Sequence, residues 1–201
     1  MAAGKNLASD ILAKNGWACI DADKLAHQAL SLLQNEVIRL HKKAAENLGL
    51  TLQNEDGSLN RKNIAKIVFT DSEALKKHEA LIHPMIEKLL YDFIMEHKTE
   101  AVVLNATVLY KVSIIMECDA IFFIDAPLII RLFRAKKRDN TSIVEILARF
   151  RSQSNIFAKY KNSNADIYRV WNLSSPYALE QKLKRILKLW NRKKHYGLLP
   201  Q

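Results

Sequence analysis

Two apolar runs that do not alternate, Ala101-Val102-Val103-Leu104 and Ala120-Ile121-Phe122-Phe123-Ile124, constrain the fold of this chain more than any other feature. A half-buried strand carries a polar residue at every second position. A continuous run of strand length needs cover on both faces, as in a parallel sheet between layers of helix. Trp17-Ala18-Cys19-Ile20, ending in Asp21-Ala22-Asp23, and Ile167 to Trp171 read as further strands. Helical patterns fill the intervals. Leu7, Ala8, Ile11 and Leu12 share one face of a helix over 6–15 that Gly16 stops, and a second helical pattern spans 24–47. Asp56-Gly57 marks a turn. Asp71 or Ser72 caps a helix to about Ile82, where His83-Pro84 breaks it and opens another. Pro127 opens a helix to Arg138, a second fits 142–153, and 176–194 is amphipathic through Leu179, Leu183, Ile186, Leu187 and Trp190. Strands alternating with helices make the class α/β, a parallel sheet flanked by helices.

The length of 201 residues, 49% of them hydrophobic, suits one domain with a sizeable core. No run approaches the roughly 18 apolar residues of a membrane span. No charged start followed by an apolar run marks a signal peptide. Cys19 and Cys118 each sit in an apolar stretch, as reduced thiols of a cytoplasmic protein do.

Charge is concentrated. Residues 1–130 hold 14 basic and 17 acidic side chains, a net of −3, whereas 131–161 hold 9 basic and 2 acidic, a net of +7. The tail 176–201 holds 7 basic and 1 acidic, a net of +6, and 162–175 balances, giving the formal +10. Such concentrations call for an anionic partner: nucleic acid, nucleotide or phosphorylated metabolite. Charge alone does not choose among them. In the tail, Lys182, Lys184, Arg185, Lys188, Arg192, Lys193 and Lys194 surround an apolar stripe. A solvated outer face explains them, and no interleaved aromatics point to nucleic acid.

Met1-Ala2-Ala3-Gly4-Lys5-Asn6 opens the first helix and matches the second half of the phosphate-loop pattern G-x-x-x-x-G-K-[ST]. Glycine lets backbone N–H groups approach phosphate oxygens, lysine reaches the outer phosphates, and the helix N-terminus favours anions. On its own, Gly-Lys before a helix is a short signal.

A longer constellation adds to it: Ile20-Asp21-Ala22-Asp23, Asn54-Glu55-Asp56-Gly57-Ser58-Leu59-Asn60-Arg61-Lys62, Ile67-Val68-Phe69 and Leu81-Ile82-His83-Pro84. It continues through Ile124-Asp125-Ala126-Pro127, Arg138-Asp139, Arg149-Phe150-Arg151-Ser152-Gln153, Ala165-Asp166 and Asn172. In this order the set resembles the dephospho-CoA kinase family of P-loop kinases over nearly the whole chain. The resemblance implies a five-stranded parallel core (about 1–23, 99–130 and 162–201), a helical region that grips the CoA precursor (about 24–98) and a mobile lid (about 131–161). The lid coincides with the +7 segment. The implied reaction is ATP-dependent phosphorylation of the ribose 3′-hydroxyl of dephospho-CoA, with Mg²⁺ as cofactor and ATP and dephospho-CoA as partners.

Site roles follow from the same resemblance. Ala2, Ala3, Gly4, Lys5, Asn6 and Leu7 match the phosphate loop. Asp23 matches the carboxylate beside the acceptor hydroxyl, as base or as magnesium partner with Asn6; its other reading is a cap on the next helix. Arg138 matches the lid arginine, with Arg134 and Arg149 on phosphates or adenine, Arg149 also serving the acceptor substrate. His83 either binds substrate or orders the junction of two helices. Asn172 lines the adenine pocket.

Three departures accompany these matches. The sequence holds no strand and no first glycine ahead of Ala2, which would leave two strands of the sheet unpaired beside an open seam. A start placed downstream at an internal methionine is the expected cause, and a truncated gene is the alternative. Asn6 stands where Ser or Thr is usual, and an amide oxygen can still meet magnesium. Leu104-Asn105-Ala106-Thr107-Val108-Leu109-Tyr110-Lys111 replaces a stretch in which an acid and a proline are commoner, so Asn105 receives no role. Two alternatives stay open: another nucleoside or nucleotide kinase of this fold, and an impaired relative that binds nucleic acid or protein through its basic faces.

Overall fold

The computed structural model describes residues 1–108, 110, 112–138, 142–152, 156–161 and 163–196, without the side chains of Ser152 and 193–196. Of the motif residues named above, Leu109, Lys111, Asp139 and Gln153 lie outside the described residues, as do the side chains of Ser152, Lys193 and Lys194. The chain divides into two units, residues 1–19 with 100–201, and residues 20–99.

The first unit carries α1 (Lys5–Lys14), β2 (Val102–Asn105), β3 (Ala120–Asp125), α6 (Leu128–Arg138), α7 (Ile143–Ser152), α8 (Ile156–Tyr160), β4 (Asp166–Trp171) and α9 (Pro176–Tyr196). β1 (Ala18–Asp21) begins in it and pairs with β2. β3 and β4 run parallel, in register from Ala120 opposite Asp166 to Asp125 opposite Trp171. Cover on both faces of β3 explains its unbroken apolar run. Phe122 and Ile124 pack on a cluster of Ala8, Ile11, Val170, Leu179 and Leu183 from α1, β4 and α9. Phe123, pointing the other way, meets Phe157 and Tyr160 of α8 edge-on.

The five-stranded sheet is not formed: among the described residues, β1–β2 and β3–β4 are separate two-stranded sheets. Both cysteines are free. Burial raises the Cys19 thiol, and burial beside Asp119 and Glu117 pushes Cys118 up to about 11, so neither is a ready nucleophile.

The second unit is helical: α2 (Ala22–Leu32), α3 (Gln34–Asn47), α4 (Arg61–Thr70) and α5 (Ser72–Glu96). Its core gathers Ala29, Val37, Ala45, Leu52, Leu59, Ile64, Ile67, Val68 and Ile82. The Asn54–Leu59 turn closes through Gly57 (φ 78°), whose N–H donates to the Asn54 carbonyl at 3.0 Å. Asn60 then caps α4 by accepting from the Asn63 N–H at 3.1 Å.

Two expectations need correction here. The pattern over 24–47 is two helices, because the backbone leaves helical values at Leu33 (φ −101°, ψ 26°). That bend turns Ala29 and Val37, both fully buried, into one core. Second, Pro84 does not end a helix; α5 runs through it. Proline inside a helix costs about 3 kcal/mol. Burial of Ile82 and Leu90 on either side offsets that, at about 1.5–3 kcal/mol per large apolar side chain. His83 consequently orders no junction.

Candidate active site

The strands of the first unit deliver polar residues to their carboxyl ends, where open α/β sheets bind ligands. Asn105 ends β2, Asp125 ends β3 and Asn172 follows β4, and all three are buried. Around them lies the N-terminal segment. Gly4 precedes α1 with φ 101°, and no side chain caps the helix, so its first N–H groups lack the usual cap oxygen. A Cβ at Gly4 would collide with Asn172 Nδ2. Only glycine fits there, on grounds of both φ and space.

Lys5 opens α1, and its Nζ donates to Asn105 Oδ1 at 3.1 Å. Asn105 Nδ2 donates to Asn6 Oδ1 at 3.3 Å. Asn105 therefore holds the lysine and the residue beside it. An apolar run ending in a polar residue is the signal that could have found it, and Ile20-Asp21 shows the same signal. Leu7 packs its side chain on the α1–α9 core, leaving its backbone N–H at the helix start.

The basic helix α6 closes round this segment. Arg131, to which no role was given, donates from Nε to the Met1 carbonyl at 2.9 Å and lies 4.5 Å over the Phe150 ring. Arg134 donates to the Asn172 carbonyl at 3.2 Å. Burial first, then the charges of Arg131 and Arg138, lowers the Met1 ammonium to about 6. Met1 and Ala2 pack on the α6–α7 cluster of Ala135, Ile146 and Phe150. Arg149 is exposed in the last turn of α7. That helix starts with a capping box, Ser142 and Glu145 exchanging bonds at 3.0–3.2 Å.

Beneath these groups, Asp125 Oδ1 accepts from the Ala126 N–H at 2.8 Å, and Oδ2 accepts from Arg169 Nε at 3.0 Å and Nη2 at 2.5 Å. Asn172 donates from Nδ2 to the Ala3 carbonyl at 2.9 Å, so its side chain lies under the loop.

In the second unit, Asp23 is exposed in the first turn of α2. The cap belongs to Asp21, whose carboxylate accepts the Asp23 N–H at 2.9 Å. His83 is half-buried in mid-α5.

A loop with an obligatory glycine, a lysine at a helix start and arginines around it, all at strand carboxyl ends, defines a phosphate-binding α/β protein of the P-loop kinase class. Comparison with known proteins makes this particular. The family model for dephospho-CoA kinase matches residues 1–172. The dephospho-CoA kinase of Treponema denticola is 42% identical over 189 residues, covering 92% of this chain and 84% of its own. That of Treponema pallidum is 34% identical, covering 92% and 89%. Among solved structures, TT1252 from Thermus thermophilus superposes with a TM-score of 0.76 at 28% identity, covering 94% of this chain and 92% of that one. The dephospho-CoA kinase from Campylobacter jejuni gives 0.66 at 25% identity, covering 96% and 94%. The chain belongs to the dephospho-CoA kinase family and is a kinase.

Proposed function

We propose that this chain transfers the γ-phosphoryl group of ATP to the ribose 3′-hydroxyl of dephospho-CoA, giving CoA and ADP. The observation that carries it is the loop itself: Gly4 seated against Asn172, Lys5 held by Asn105, and Arg131, Arg134 and Arg138 on the adjoining helix. Phosphoryl transfer asks a protein chiefly for positioning and charge stabilisation, and these groups supply both. Backbone N–H groups from Ala2 to Leu7 receive the phosphates, Lys5 follows the charge onto the leaving oxygen, and Arg134 and Arg138 meet the triphosphate from the lid, residues 131–161. Residues 24–98 bind the acceptor, His83 and Arg149 contact it, and Asp23 accepts the proton of the 3′-hydroxyl.

The metal is Mg²⁺. Asn6 Oδ1 is a hard oxygen donor beside Lys5 that accepts a long 3.3 Å contact from Asn105, and Asp23 is the second candidate ligand. No cluster of three or more His, Cys, Asp or Glu exists among the described residues. That fits an ion bound mainly by phosphates and water. When bound, it neutralises charge on the transferred group. No helix of the described residues is long and apolar enough to cross a membrane, and the proposed place of action is the cytoplasm.

The test is an assay of ATP, Mg²⁺ and dephospho-CoA with the purified chain, reading CoA by mass spectrometry. CoA formation that requires Lys5 supports the reading. Phosphorylation of a nucleoside or nucleotide instead assigns a different kinase. ATP turnover absent alongside salt-sensitive RNA binding assigns an impaired relative.

A further inference from the structure

Among the described residues, the polar contacts that Asn172 makes run to the phosphate loop or to what frames it. It is 3% exposed. Its backbone N–H donates to the Asp125 carbonyl at 2.7 Å, and its carbonyl accepts from Arg134 at 3.2 Å. Its Nδ2 donates to the Ala3 carbonyl at 2.9 Å and fills the space that a Cβ on Gly4 would need. Its Oδ1 is buried without a hydrogen-bond partner among the described residues. An unpaired buried amide oxygen is unfavourable. An apolar side chain would avoid that cost, whereas this one contributes a donated hydrogen bond from its Nδ2–H.

We infer that Asn172 is a positioning residue for ATP. From a fixed strand end it holds the Ala3–Gly4 backbone in its phosphate-receiving shape and ties Arg134 to the same point. The anchor is rigid, because Asp125 is clamped by Arg169, which stacks over Trp171 at 4.5 Å. Loop and guanidinium are thus registered before nucleotide arrives, which removes an ordering cost from binding. The inference deepens the kinase reading and rests on it for the direction of the effect on turnover.

Asn172→Ala and Asn172→Asp in the full chain test it. Amide exchange of residues 2–6 should quicken about tenfold, with the amides of α2–α5 unchanged. Calorimetry should show ATP binding weakened about tenfold to hundredfold, the range for stranding a buried partner, and dephospho-CoA binding unaltered. A carboxylate cannot donate to the Ala3 carbonyl but a carboxylic acid can. Relative to wild type at each pH, Asn172→Asp should therefore recover loop protection as pH falls through its titration. A merely structural role gives no such recovery. Should Asn172→Ala fail to fold, the pH response of the Asp variant decides. Unchanged exchange at residues 2–6, or equal losses for both substrates, would overturn the inference. If the wild-type chain makes no CoA while the variants still loosen the loop, the substrate assignment falls and the positioning role stands.

Discussion

The two units place their polar groups differently. In the first, Ser9, Asn105, Asp125 and Asn172 are buried, three of them at the carboxyl ends of strands, and an alanine (Ala2, φ 57°) and Gly4 hold left-handed backbone. In the second, His41 alone among the described polar side chains is buried, its Nε2 2.9 Å from His78 Nδ1, and the rest of the interior is aliphatic. Burying polar groups and straining backbone both cost stability. The first unit carries those costs at one place, round the loop that would receive phosphate. The second is built to persist, and Asp23, the carboxylate proposed to act on the acceptor, is exposed.

That contrast can be broken most severely at Asp23. Asp23→Asn should lower turnover by about 10²–10⁴, the usual range for a positioned general base. Circular dichroism and melting should not change, because Asp21 keeps the cap of α2. Normal turnover would return Asp23 to a helix-end role. Next comes Gly4→Ala. The clash with Asn172 and the strain at φ 101° should displace the loop and reduce ATP use by about 10², the cost of an ångström of misplacement. The melting of α2–α5 should be untouched.

The histidine pair tests the other half of the comparison. Burial lowers His41, and burial together with His41 and His83, against the opposing pull of Glu79, brings His78 down to about 4. The folded form thus prefers neutral rings. Their stabilising share is complete above the unfolded value of about 6.5 and is lost as pH falls from there to about 4. For the second unit that is about 2–3 kcal/mol, discounted for the partial exposure of His78. Urea melts at pH 7.5 and 4.5 should show it, and replacing both histidines with leucine should remove it. A pH-independent melt in wild type would mean that the pair is solvated.

The smallest effect concerns the lid. Arg138→Ala should weaken ATP use about tenfold, within the range for one charge-assisted phosphate contact, with dephospho-CoA binding preserved. ATP should protect 131–161 from trypsin severalfold, since bound triphosphate relieves repulsion among nine basic residues. The tail 182–194 should be cleaved as before. Equal protection of both would mean non-specific anion binding.

Much of this was legible in residues alone, because the signals are local. The apolar runs gave strands at 102–105 and 120–125, Asp71 caps α5 by accepting from the Glu73 N–H at 2.8 Å, and Pro127 and Gly16 bound their helices as their backbone preferences require. Gly4, Lys5 and Asn6 mark a loop before a helix, and the order of motifs carries the family. Tertiary structure decided what depends on partners distant in sequence. α5 continues through Pro84 because burial of Ile82 and Leu90 on either side offsets the cost of the proline. Leu33 bends the chain because Ala29 and Val37 must share one core. Asn105 meets Lys5 across 100 residues and Asn172 meets Ala3 across 169. No periodicity or spacing encodes such a pairing: the hydrogen bond exists only once packing has brought two strand ends and a helix start together and excluded the water that would otherwise compete for it.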